Sequence, residues 1–549
     1  MIFFKNIHQK FLQHRDSLLL LGADLLLVML AYGGFYRPGY CADTVWHMIE
    51  PRTSIETWLK NGRYLACALS SFLMNHGFLA TDHYIICFGI FLIFLTLAIF
   101  FFQQGMKRGF SSVELSHREL PTPDGFPVQK GSIPLQIVFV LCTALPFINV
   151  LFTENFMFTE CFLVFPFGYF LAALAFYAYT AADTASAGLK AGARRSRIPG
   201  AVLLMLLAAM FYQNSCILML IFISAYQILR AGYRLSWTLI LKEVVTAVAV
   251  VGLTVAEMKS VDIFVRMGLI IDQQKETSVQ TILNNLGRLP GELRDMLCSS
   301  AQLLPPVWLP LLMLIGGVGL LLIQMLCSGR GRDFILVLLF IAEGFLMTFL
   351  FPVLGGGFNP RLTLVFYGVI GLTVLMAAGF AGSTAAAIQK GSAETTEKSS
   401  TSGPAAGLSA LAIILFMAVQ IIFCNVIMSN HYISNTLDEL YSQQVLNRIY
   451  RYEAETGETV RTIAITFDTY AEFSYPQVRY HRDQINERVI SMSPYCLIEI
   501  LSGDEKNFET TREIDPEIQA QYFEGKNWDE FVPDEQIVFK GDTCYWCIF

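Results

Sequence analysis

Residues 199–230 read PGAVLLMLLAAMFYQNSCILMLIFISAYQILR, and the number of times this stretch crosses a membrane decides the arrangement of everything after it. Two apolar runs, 199–212 and 214–229, flank the polar triplet Tyr212-Gln213-Asn214. A single kinked span would carry Arg230 and Arg234 outside and reverse every later loop; a hairpin of two spans keeps them inside. Lys and Arg concentrate in cytoplasmic loops, so the basic residues discriminate. With a hairpin and a cytoplasmic N-terminus, the inside loops collect Lys107, Arg108, Arg118, Lys130, Lys190, Arg194, Arg195, Arg197, Arg230, Arg234, Lys242, Arg330, Arg332, Lys390 and Lys398. The hairpin obeys the rule throughout.

The same reading extends in both directions along the chain. A bilayer core asks for roughly 20 apolar residues per helical span, and the runs 17–35, 83–103, 134–152, 160–181, 237–257, 306–326, 334–351, 362–382 and 407–428 supply nine more candidates. A chain of 549 residues that is 54% hydrophobic and 15% charged, with 44 Phe, has the composition of a polytopic membrane protein. The expected fold class is therefore an α-helical polytopic membrane protein of about eleven transmembrane helices (residues 1–429), with a small C-terminal extracytoplasmic α/β domain (430–549). Lys5, Lys10 and Arg15 precede the first run as in a signal peptide, but no small-residue cleavage site follows before Arg37, so the run is read as an uncleaved span. The expected location is the cell membrane, multi-pass, with the N-terminus cytoplasmic.

Four connecting segments stand apart. In the first outer loop, 36–82, the stretch 55–80 is expected to lie as an interfacial helix, with Trp58, Tyr64 and Phe72 at the headgroups. The outer loop 258–304 has apolar positions at helical spacing, with Arg266 and Lys275 placed to meet phosphate. Residues 104–131 form a loop rich in Pro, and 383–405 a low-complexity linker.

The tail from 430 holds 22 Asp and Glu against 10 Lys and Arg, so the membrane part is net basic. No basic stripe interleaved with aromatics occurs in the tail, which argues against nucleic acid. Apolar spacing predicts a helix over 435–452, a strand over 460–467 and further strands over 489–492 and 495–501. Cys544-Tyr-Trp-Cys547 lacks a second pair and a nearby His, which argues against zinc. A structural disulfide among Cys496, Cys544 and Cys547 is the expectation.

On this topology the outer face carries Asp43, His47, Glu50, Arg52, Glu56, Lys60 and Arg63, then Glu154, Glu160, Glu257 and Arg361. Ionisable groups at a bilayer are costly and are functional candidates by default. Their order resembles the polytopic glucosyltransferases of the GtrII type, within the GT-C superfamily. The resemblance rests on Ala42-Asp43-Thr44 after the first span, Asn61-Gly62-Arg63, Glu154 after the third, Tyr212-Gln213-Asn214 at the hairpin tip and Asn359-Pro360-Arg361 before the tenth.

The resemblance implies transfer of a hexose, glucose in that family, from a polyprenyl-phosphate sugar to a cell-surface glycan at the outer face. Asp43 would be the general base, with Glu154 as the second catalytic candidate. Arg63 and Arg361 would hold the donor phosphate, against the plainer reading that each anchors a helix end. His47, Glu50, Tyr212, Gln213 and Asn214 complete the substrate-binding set. Relatives often carry two adjacent acids where this chain has Asp43 then Thr44, so a divalent metal stays open, with Glu50 or Glu154 as replacement acid. The aromatic stretch 147–170 is expected to line the groove for the polyprenyl tail. Two other readings are a transporter or lipid flippase and another GT-C-like glycan polymerase or ligase. Against the former, no internal repeat is evident and the charges gather at one face rather than the midplane. Against the latter, the outer loops lack a large Arg-rich segment.

Overall fold

The computed structural model describes residues 2–549 except 116–132, 186–190, 269–277, 392–401, 469–473 and 504. The prolines of the 104–131 loop, Lys275 and the middle of the 383–405 linker fall outside the described residues.

Helices pass back and forth between two ends of a bundle. α1 (Ile2–Tyr32) leads to the end that carries α2 (Ala42–Ile49), α3 (Pro51–Lys60) and α4 (Tyr64–Asn75), and α5 (Tyr84–Leu115) leads away. α6 (Ile133–Ala144) and α7 (Phe165–Ala185) make the next pass, joined by two 3-10 turns, Val150–Phe156 and Thr159–Cys161. α8 (Ala191–Phe211) and α9 (Asn214–Arg230) are an antiparallel pair with Tyr212-Gln213-Asn214 at their tip, so the hairpin is formed. After α10 (Trp237–Lys259) come α11 (Val261–Arg266) and α12 (Val279–Ser299), and Asn285 of α12 donates to the Pro352 carbonyl at 3.2 Å. α13 (Leu309–Cys327), α14 (Ile335–Phe351), the short α15 (Pro360–Thr363), α16 (Val365–Gly391) and α17 (Ser402–Thr456) complete the bundle.

Hydrogen bonds sort the polar residues to the two ends. At one end Tyr84 donates to the Phe35 carbonyl at 2.6 Å, and the Tyr64 and Ser260 hydroxyls lie 2.6 Å apart. Residues 64–84 therefore start and finish at the same end, and α4 does not cross the bundle. At the other end Arg108 donates to the Tyr177 carbonyl at 2.6 Å, Arg230 pairs with Asp183, and Arg330 meets Asp333 at 2.9 Å and the Gly232 carbonyl at 2.8 Å. Arg108, Arg230 and Arg330, three of the basic residues expected inside, thus lie at the end of the bundle opposite Tyr64 and Tyr84.

Among the described residues eight helices are long and apolar enough to cross a membrane. Three of the eleven expected spans are shorter apolar helices: Ile133–Ala144, Ile198–Phe211 and Asn214–Arg230. α6 stops early for a local reason. The Asn149 side chain accepts from the Leu151 and Phe152 amides at 3.0 and 3.1 Å, capping a new turn and breaking the apolar run. The aromatic stretch 147–170 is not a groove wall. Phe147, Phe152, Phe156 and Phe162 are buried, and Phe156 stacks on Tyr32 and Phe35 with ring centroids 4.5 and 5.1 Å apart. The stretch is core.

Beyond the bundle, α17 continues unbroken for 55 residues, so position 430 lies inside a helix. The chain then forms β1 (Thr462–Phe467), two short helices, α18 (Val489–Met492) and α19 (Pro494–Leu501), and β2 (Glu509–Thr511), β3 (Ile537–Lys540) and β4 (Thr543–Ile548). The strands order as β2-β1-β4-β3, with β1 parallel to both its neighbours and β3 antiparallel to β4.

Two expectations are corrected here. The runs 489–492 and 495–501 are helices, because short apolar runs carry no periodicity that separates a strand from a buried helix, and Pro494 suits a first helical turn that needs no N–H. No disulfide forms, and all twelve cysteines are free. Cys544 and Cys547 lie on β4, so three residues place them on opposite faces and about 10 Å apart, while a disulfide bridges Cα atoms about 4.4–6.8 Å apart.

The two hydrophobic cores interlock. Val45 of α2 belongs to the C-terminal core with Ile490 and Leu497, joined by half-buried Tyr40, Trp46 and Ile49. In exchange, Ile485 of the C-terminal segment is fully buried in the core of the bundle. Burying one such side chain stabilises by about 1.5–3 kcal/mol, so the exchange fixes α2 between the two parts.

Candidate functional site

The turn that Asn149 caps carries Glu154 inward, where it is wholly buried. Both its oxygens meet Arg361, Oε2 accepting the main-chain N–H at 2.6 Å and Oε1 pairing with the guanidinium, and Asp483 of the C-terminal segment acts on it as well. Pro360 at the start of α15 has no N–H to offer, so the free donor there is that of Arg361. Burial pushes the Glu154 carboxyl up from the ordinary range, and Arg361 pulls against that shift. Arg361 also lies 3.7 Å from Asp483 of the C-terminal segment and packs over the Phe158 ring at 4.3 Å.

The hairpin tip is tied to this pair through the Arg361 carbonyl, which accepts from Asn214 Nδ2 at 2.7 Å and from the Tyr212 hydroxyl at 3.3 Å. Gln213 turns the other way, donating to the Asn61 carbonyl at 2.9 Å and to Glu257 Oε2 at 3.3 Å. Gly62 lets that approach happen. Its φ is +78°, and an added Cβ would fall 3.2 Å from Gln213 Nε2 and 3.2 Å from the Met258 Cα.

Arg63 follows from this turn. Its guanidinium lies 5.3 Å from the Tyr212 ring centroid, and its buried Nε has no hydrogen-bond partner. Burial and Arg361 pull it down from the usual guanidinium range, while Tyr212, Cys161 and Glu257 act in the opposite sense. Among the described residues no carboxylate lies within ion-pairing distance of it.

Asp43 stands exposed in the first turn of α2. The next residue, Thr44, is buried, and its hydroxyl donates to Glu160 Oε2 at 2.7 Å. Asp43 is in electrostatic reach of Glu160, Arg361 and Glu487. The structure therefore brings Asp43, Arg63, Glu154, Tyr212, Gln213, Asn214 and Arg361 to one end of the bundle, although they span more than 300 positions.

Two candidates take other places. Glu50 ends α2 and acts on Tyr495 and Cys496 of the C-terminal segment. His47 is buried with its ring parallel to Trp58 at 6.3 Å, and its Nδ1 has no hydrogen-bond partner. It lines a small crevice with Trp58, Ser70, Leu73, Phe78 and Glu160. Burial pushes it down to about 4.

Four acids missing from the sequence-derived set join the site: Glu160, Glu257, Asp483 and Glu487. Glu160 and Glu257 already stood out as outer-face charges. Asp483 and Glu487 had no local signal, since their contacts cross from one part of the chain to the other. Among the described residues no three His, Cys, Asp or Glu side chains form a set able to hold a metal ion.

Compared with known proteins, the chain matches no family model, no curated protein and no solved structure.

Two outcomes follow from the geometry. Glu154→Gln and Arg361→Met each strand a buried charge and should destabilise by about 3–5 kcal/mol, with the double variant losing clearly less than the sum. Thermal unfolding in detergent measures this, and additive losses would contradict the pairing. His47 has its protonation depressed on folding, so its contribution is complete above pH 6.5 and is lost as pH falls from 6.5 through 4. His47→Phe should therefore flatten the acid slope of stability in that window, measured as the thermal midpoint against pH.

Proposed function

We propose that this protein is a membrane glycosyltransferase that moves a hexose from a polyprenyl-phosphate donor to a glycan hydroxyl at the outer face of the cell membrane. The observation that carries the reading is Arg63: a half-buried guanidinium without an ion-pair partner among the described residues, beside a second arginine already neutralised by Glu154 and Asp483. An uncompensated cation in low dielectric is unfavourable alone and favourable once an anion arrives. A phosphate fits the need, because a guanidinium fork binds its oxygens bidentately.

The remaining residues take roles that follow from their placement. Asp43, exposed at the end of the bundle where a glycan can approach, takes the proton from the acceptor hydroxyl. The acceptor oxygen bonds to the anomeric carbon as the bond from that carbon to the phosphate oxygen breaks, and the polyprenyl phosphate leaves with the electron pair. Arg63 stabilises the charge that gathers on the leaving phosphate. Glu154, sealed from solvent, holds Arg361 in place and is a positioning residue. Tyr212, Gln213 and Asn214 fix the distance between the Arg63 turn and Arg361 through main-chain carbonyls.

Charged and polar groups at one end of the bundle favour this reading over a transporter, whose site belongs near the bilayer midplane. Membranes containing the protein, supplied with radiolabelled polyprenyl-phosphate hexoses and candidate glycans, test it. Asp43→Asn should lower transfer by about 10²–10⁴, and Arg63→Ala by about 10²–10³, with the larger part of the Arg63 effect in the donor. Full transfer by Asp43→Asn contradicts the assignment of the base.

A further inference from the structure

α12 is a helix of 21 residues that is held at both of its halves to the ends of spans. In its first half, Asn285 Nδ2 donates to the Pro352 and Val353 carbonyls at 3.2 and 3.3 Å, in the turn where α14 finishes. After its last turn, the Trp308 amide, just ahead of α13, donates to the Cys298 carbonyl at 2.9 Å. The Ser300 hydroxyl lies 2.6 Å from that of Tyr367, near the start of α16. All of these span ends are at the end of the bundle that carries Arg361. The stretch from Asn285 to Ser299 is about 21 Å of helix, so α12 lies across that end rather than along the bundle axis.

Around its own axis α12 shows three faces. Asn285, Met296 and Ser299 are buried against the protein. Gln280, Asn284 and Arg288 recur every fourth residue, polar and exposed. Val279, Leu283 and Leu286 form the third face, at spacings of four and three, and are 74%, 56% and 46% exposed. At 3.6 residues per turn the three sets point roughly 120° apart.

A helix packed on a protein and otherwise wet needs only the first two faces. The third is an apolar stripe that no part of the chain covers, and such a stripe marks a contact with something else. The same exposed apolar character continues into Val307 ahead of α13 and onto Leu312 and Ile315 of that span, a surface that only lipid suits. A helix lying at the rim of the spans, with protein, water and acyl chains on its three sides, satisfies every face at once.

We propose that α12 is an interfacial arm: Val279, Leu283 and Leu286 rest in the lipid leaflet at the Arg361 end of the bundle, and the arm fixes the loop that leads to Arg361. Asn285 caps carbonyls that the end of α14 leaves without helical donors. Arg288 packs over the Phe358 ring at 5.3 Å, shortly before Arg361 in the chain. Glu292 pairs with Arg482, whose neighbour Asp483 lies 3.7 Å from the Arg361 guanidinium. One helix, at a depth set by the lipid, therefore holds Arg361 through its own loop and through the C-terminal segment.

Neither the lipid contact nor this coupling rests on the transferase reading. The first test places the photoreactive residue benzoylphenylalanine at position 283 or 284 of the full chain in phosphatidylcholine liposomes, with irradiation and mass spectrometry of the products. Lipid adducts at Leu283 should exceed those at Asn284 about tenfold, as the two faces of an interfacial helix require. Equal yields overturn the lipid contact, and so do adducts at Leu283 that join it to a second copy of the chain. The second test follows amide hydrogen exchange over residues 353–358 in the same liposomes. The double variant Leu283→Asp, Leu286→Asp should speed that exchange about tenfold, because each leucine gives up an apolar environment worth at least that factor. Asn284→Asp, on the wet face, should leave it unchanged. Exchange that is unaltered in the double variant, or raised equally by Asn284→Asp, overturns the coupling.

Discussion

The buried pair of Glu154 and Arg361 is the constraint around which this end of the molecule is organised. Neither charge is tolerable alone: an unpaired buried ion costs several kcal/mol. The pair can form only if the turn after α6 and the start of α15 meet, because the carboxylate takes both the guanidinium and the main-chain amide of Arg361. The carbonyl of the same residue then receives Tyr212 and Asn214, which fixes the α8–α9 tip. Gln213 passes the constraint on to Asn61, and so to Arg63. One ion pair thereby sets the geometry of four chain segments.

This arrangement gives the two arginines different characters. Arg361 has its charge balanced inside the protein, so it serves as a structural centre. Arg63 lies one ring contact away, with no ion-pair partner among the described residues, and this is why an anion from outside is proposed for it. The acids are likewise divided. Glu154 is locked, Glu160 is occupied by Thr44, and Asp43 is open to solvent. The C-terminal segment acts as a lateral support for the whole assembly, since its core includes α2 and its own Ile485 is spent in the bundle.

Much of this organisation is legible in the amino-acid sequence. The helical runs, the hairpin at 199–230 and the outer-face charges that include Asp43, Arg63, Glu154 and Arg361 follow from charge and hydropathy at particular positions, because a membrane punishes misplaced charge strongly enough to write it into the sequence; the narrower set with Tyr212–Asn214 came from the family resemblance. Where energies are weaker or contacts longer, the sequence misleads. The helices at 489–501 look like strands because four to seven apolar residues suit either. The spacing of Cys544 and Cys547 suggests a bridge that strand geometry forbids. The aromatic stretch 147–170 looks like a lipid groove, since Phe serves core and lipid equally well. Asp483 leaves no trace, because a loop acid carries no local mark of the Arg361 it will face.

The central claim is that Arg63 forms an anion site completed by a lipid-linked phosphate, and a structure determined in a nanodisc with added polyprenyl phosphate tests it most directly. The account predicts phosphate density within hydrogen-bonding distance of the Arg63 guanidinium, at the end of the bundle that carries Asp43, with the Glu154–Arg361 pair intact. Phosphate bound elsewhere, or Arg63 found bonded to a carboxylate of the protein instead, would contradict it.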